Sequence, residues 1–140
     1  MQNYLSVSGN FGKLKINSNE FENTGISQYN GIADNLSINF NDFKLNYTLT
    51  SNLTQNIIDI GTGTTYNYKQ CVITGNNIKS TQSNLNYVST INFIKSYRDF
   101  TYSQVYNNTF MKDTYSNFGA WLDAGVKLTT GTIISNNTNN

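Results

Sequence analysis

The segment Leu36-Ser37-Ile38-Asn39-Phe40-Asn41-Asp42-Phe43-Lys44-Leu45-Asn46-Tyr47 alternates apolar and polar residues on both sides of Asn41-Asp42, and the phase of the alternation reverses at that pair. Period-two alternation is the signature of a strand with one buried face, and Asn-Asp is a turn dipeptide. Read together they predict a hairpin over Leu36–Leu49 turning at Asn41-Asp42. In it Phe40 faces Phe43, Ile38 faces Leu45 and Leu36 faces Tyr47 on a common side.

The same pattern is weaker on either side. Leu5 and Val7 alternate before Gly9-Asn10-Phe11-Gly12, and Leu14 and Ile16 alternate after it, which predicts a second hairpin with Lys13 and Lys15 on the wet face. From Asn17 to Asn35 the pattern fades among Gly25, Gly31 and several Asn, which predicts a long loop with room for one short strand. Ile57–Ile60, Thr65–Thr74, Leu85–Phe93 and the run through Val126, Leu128 and Ile134 read as further strands. Phe118, Trp121 and Leu122 stand at i, i+3 and i+4 before Gly125, so the one short helix expected lies at about residues 116–124. No segment repeats at a fixed period.

Seven to nine short strands predict an all-β chain: an antiparallel β-sandwich, jelly-roll-like fold or barrel. A length of 140 residues suits a single β domain over 1–140 with a short polar C-terminal tail, 135–140.

Charged residues are 12% of the chain, half the usual share, and the net charge is +1. Hydration falls to 25 Asn, 17 Thr and 13 Ser, neutral groups that do not push identical molecules apart. Cys71, the single cysteine, lies in an apolar run and reads as a small buried hydrophobe. Met1-Gln2-Asn3 lacks the basic and apolar regions of a secretion leader, and no apolar run reaches the roughly 18 residues of a membrane span.

Histidine is absent, which excludes Ser-His and Cys-His pairs and the commonest metal ligand. Gly61-Thr62-Gly63-Thr64 lacks the Gly and Lys of a phosphate-binding loop. The eight carboxylates, Glu20, Glu22, Asp34, Asp42, Asp59, Asp99, Asp113 and Asp123, sit in no motif and mostly flank turns. Asn17, Asn19, Glu20 and Glu22 gather oxygens without the spacing of a calcium loop. Sequons at Asn35, Asn46, Asn52, Asn107 and Asn136 are as many as composition alone supplies. Lys13, Lys15, Lys95 and Arg98 make no basic stripe for direct readout of nucleic acid. The reading is a chain without catalytic, cofactor-binding or metal residues.

What remains is contact. Tyr97, Tyr102, Tyr106, Tyr115, Phe118 and Trp121 form an aromatic-rich stretch and are the candidate interface residues. The expected function is a non-enzymatic structural subunit of a larger assembly: a virion protein of a virus or phage (minor capsid, decoration, tail or fibre) or an extracellular filament subunit. Its partners would be copies of itself or other structural proteins. The alternative is a carbohydrate-binding or adhesive β-module, extracellular or on a cell surface.

Overall fold

A computed structural model describes residues 3–46, 48–62, 66–82 and 86–140. Among them the regular elements are all strands, and the chain winds through them in five coils. Coil 1 holds β1 (Asn3–Asn17) and β2 (Glu20–Glu22). Coil 2 holds β3 (Thr24–Asn39) and β4 (Asp42–Leu45). Coil 3 holds β5 (Leu53–Ile60), β6 (Tyr66–Thr74) and β7 (Asn77–Ser80), and coil 4 holds β8 (Ser89–Ser96), β9 (Gln104–Tyr106) and β10 (Thr109–Met111). Coil 5 holds β11 (Ser116–Phe118), β12 (Leu122–Asp123), β13 (Ile133–Ser135) and β14 (Thr138–Asn139).

Each strand pairs in parallel with its counterpart one coil away. β1 and β3 are long enough to run over two faces, so these faces join into one curled nine-stranded sheet, while β14-β10-β7-β4-β2 make the third face. The antiparallel sandwich, jelly roll or barrel expected from the sequence is therefore wrong: the molecule is a parallel β-solenoid.

The corner between the second and third faces is built identically in every coil. Asn19, Asn41, Asn76, Asn108 and Asn137 stack there, at chain intervals of 22, 35, 32 and 29 residues. Before each stands a residue with positive φ: Ser18, Phe40, Gly75, Asn107 and Asn136. That left-handed step swings the chain through the corner and leaves the next backbone N–H without a strand partner. The following asparagine meets the deficit. Asn41 N–H donates to Asn76 Oδ1 (2.9 Å), and Asn41 Nδ2 donates to Asn76 Oδ1 and back to the Ile16 carbonyl (2.9 Å each). Asn76 repeats the set with Asn108 Oδ1 and the Ile38 carbonyl, and Asn108 with Asn137 Oδ1 and the Ile73 carbonyl. Asn41, Asn76 and Asn108 are fully buried, which only such complete pairing allows.

Inside, like residues stack in columns. Leu5, Ile26, Ile58, Ile94 and Leu122 share one register line. Ile16, Ile38, Ile73, Val105 and Ile134 share a second, and Phe21, Phe43, Ile78 and Phe110 a third. The Phe21 and Phe43 rings lie 5.0 Å apart and nearly parallel. Each fully buried aliphatic or aromatic member contributes roughly 1.5–3 kcal/mol.

These columns explain each failed expectation. At Asn41-Asp42 the chain turns a corner and does not reverse: β3 and β4 belong to different sheets, Phe40 is 64% exposed and Phe43 1%. Ile38 and Leu45 are buried as expected, but against neighbouring coils; Tyr47 falls outside the described residues. Leu5–Ile16 is one strand paired with β3, with a register shift between Val7 and Gly9 where a hairpin turn was expected. The expected loop at 17–35 contains most of β3, which pairs with β1, β5 and β6.

The helix expected at 116–124 is instead β11, a bend and β12; a strand–bend–strand brings Phe118, Trp121 and Leu122 to the same core as a helix face would. Val126 is 96% exposed in a turn ahead of β13, not in a strand. The polar tail is held by its own chain, with Thr138 and Asn139 paired to β10. Cys71 is fully buried between Leu36 and the Ser103 position, and burial pushes its thiol pKa up. No helix among the described residues is long and apolar enough to cross a membrane.

Candidate functional site at the ends of the coil stack

A stack of parallel coils has two ends, and each presents strand edges that pair on one side only. At one end β1 pairs with β3 and β2 with β4; at the other β13 pairs with β9 and β14 with β10. The asparagine ladder is interrupted at the same places. In all four steps an Asn N–H reaches the Oδ1 of the next coil, so Asn137 N–H faces the position of a sixth coil. At the opposite end Asn19 Nδ2 donates to the Asn17 carbonyl (3.0 Å) and to Asn41 Oδ1 (3.1 Å), and its Oδ1 stands on the outer side of coil 1.

The inward columns surface at these ends. Leu5 in coil 1 and Ile134 in coil 5 are exposed, while Leu14, Phe21 and Leu122 are half-buried; Ile133, on the outward line of Gln104, is exposed beside them. A cavity of about 630 Å³ opens on the coil 5 side, with Leu122, Ile134, Thr132 and Asn92 among its walls. Comparison with family models, curated proteins and solved structures finds no match. The reading of the site therefore rests on its geometry.

The aromatic residues singled out in the sequence are not one surface. Tyr97 and Tyr102 are exposed on the connection between β8 and β9; Tyr102 has positive φ, and its ring lies where a Cβ on Gly131 of the next coil would come within 2.6 Å. Tyr106 and Tyr115 are half-buried. Phe118 and Trp121 pack against the core in a chain of rings: Phe110–Phe118 at 5.3 Å, Phe118–Trp121 at 4.7 Å and Trp121–Phe93 at 5.6 Å. The sequence reading did not single out Leu5, Asn19, Ile133, Ile134 or Asn137 as site residues. The signal available for the two asparagines was a left-handed-tolerant residue followed by Asn, recurring at uneven intervals.

Ionisable groups mostly join coils. Lys95 lies in register between Asp59 and Asp123, with Nζ 2.7 Å from Asp123 Oδ2. Burial raises the Asp59 carboxyl above its ordinary range against the pull of Tyr4, Asn56 and Lys95. Burial, then the Asp59 charge, raises the Tyr4 phenol, whose hydroxyl donates to the Asn56 carbonyl (2.9 Å). Tyr97 is raised for the same two reasons in the same order. The oxygens that resembled a calcium cluster are engaged between coils: Asn17 Oδ1 accepts from Asn39 N–H, Glu20 pairs with Lys44 (2.8 Å) and Glu22 Oε1 accepts from Asn46 Nδ2. Among the described residues no group of three or more Cys, Asp or Glu side chains is placed to hold a metal ion.

A buried polar cluster lies between coils 3, 4 and 5. Ser80 and Ser116 hydroxyls are 2.6 Å apart, the single Ser116 proton has Asp113 Oδ1 (2.9 Å) and Gln82 Oε1 (3.1 Å) within reach, and Ser89 donates to Gln82 Oε1. The hydroxyls bond to one another and to acceptors of the corner, an arrangement that fastens a turn.

Proposed function

We propose that the chain is a non-enzymatic structural subunit of a larger assembly, a stiff rod element of a virus or phage particle (fibre, tail or decoration) or of an extracellular filament. The observation that carries this reading is the pair of open ends. Open strand edges pair readily with another chain, and among the described residues of the coil 1 edge only the exposed Lys13, Lys15, Glu20 and Glu22 stand against this. Here Ile133 and Ile134 lie exposed on the edge strand of coil 5, and Leu5 on that of coil 1. The low charge of the whole chain, +1 net, leaves little repulsion between copies.

Light scattering of the purified chain over a wide concentration range tests this. Mass rising with concentration, or recruitment into a particle, is the expected result; a monomer under every condition would end the proposal. A carbohydrate-binding module is the second reading, favoured by exposed Tyr4 and Tyr97 near Asp59. A glycan-binding screen that Tyr97→Ala abolishes would support it.

A further inference from the structure

Resting on the subunit reading, we infer that the partner is a second copy of this chain, seated head to tail so that coil 1 of one molecule becomes the sixth coil of another. The two ends match position by position. Extending the register lines past coil 5 places Leu5 of the incoming copy on Leu122, Ile16 on Ile134, and Asn19 on Asn137. The first two pairs continue columns that are aliphatic through all five coils. The third continues the ladder with the correct polarity: Asn137 supplies the N–H, and Asn19 supplies the Oδ1 that would accept it.

Two further features fit the same occupant. The cavity at the coil 5 end has Leu122 and Ile134 in its walls, the residues on which Leu5 and Ile16 would land. The two ends of one chain also differ, so the contact is heterologous: each junction leaves a fresh end, and the product is an open filament, not a closed dimer. Asn139, which follows Phe110 on the third column, would meet Phe21.

The register supplies its own test. Glu20 and Thr138 are exposed and share the outward line that runs through Asp42, Asn77 and Thr109. Across the junction they become neighbours on adjacent parallel strands, about 4.8 Å apart and within disulfide reach. The chain carrying both Glu20→Cys and Thr138→Cys should give, on mild oxidation, a ladder of covalent dimers, trimers and longer species on a non-reducing gel. Either single substitution should give no ladder, and buried Cys71 should take no part. Adding Ile134→Lys to the double variant should abolish the ladder; because Ile134 is 45% exposed, circular dichroism should report an unchanged fold. If wild type oligomerises but the double variant forms no ladder, the junction is wrong while the subunit reading stands. If wild type stays monomeric at every concentration, both fall.

Discussion

At the scale of single residues, the ladder asparagines carry a burden that no other side chain could take over, since each combines a donor and an acceptor on one short stem. Asn41→Ala would leave the buried Ile16 carbonyl and the Asn19 N–H without partners, at about 1–3 kcal/mol for each group left unpaired. Asn19→Ala, at the open end, removes a side chain whose own donation goes only to Asn17 and to an Asn41 oxygen that retains the Asn19 N–H. Denaturant titration should therefore rank Asn41→Ala at least about 2 kcal/mol below Asn19→Ala; equal losses would deny the ladder its role. Asp59 gives a test with pH. A carboxyl whose folded pKa lies above its unfolded value gains a proton on folding, so its favourable contribution is complete below the unfolded value of about 3.9 and is lost as pH rises through the folded one. Asp59→Asn should match wild type near pH 4 and exceed it in melting temperature at pH 7. A variant less stable at pH 7 would mean that the Lys95 attraction outweighs burial.

At the scale of elements, β3 is the strand on which the rest is laid, because β1, β5 and β6 all pair with it. Ile38→Ala removes a side chain held between Ile16 and Ile73 and should cost about 2–5 kcal/mol. Ile134→Ala, at the edge of the stack, should cost the isolated monomer less than about 1 kcal/mol, and a comparable loss would show that coil 5 is buried in solution. The sequence disclosed which residues of 36–45 are buried, with exposed Phe40 and buried Asn41 the exceptions, yet misread how the chain connects them. A phase reversal at Asn41-Asp42 fits both a hairpin and a left-handed corner, because either device rotates the strand face by one residue. Strand content was legible because alternation needs only a local face. Parallel order was not: partners 21 to 36 residues apart, at changing intervals, leave no fixed period to detect. Leu5 and Ile134 read as core for the same reason, since local alternation does not tell an edge strand from an inner one. Phe118 and Trp121, half-buried, pack against the core from coil 5.

At the scale of the whole molecule, a stack in which each coil touches only its neighbours behaves as a one-dimensional array, with stability summed from coils and the interfaces between them. Amide hydrogen exchange should then fall off from the middle outward, with β3 and β6 protected most and β13 and β14 least. Uniform protection across all five coils would show instead a single cooperative unit. The unequal coil lengths have a mechanical consequence. Bonds between coils lie along the axis of the stack, so tension applied to the two chain ends peels one coil at a time. Intervals of 22, 35, 32 and 29 residues then release about 75, 120, 110 and 100 Å of slack, at roughly 3.3–3.6 Å per residue. A solenoid of equal repeats would give identical rips in a force–extension trace. This one would betray, by the length of each rip, which coil had let go and from which end the rod was failing.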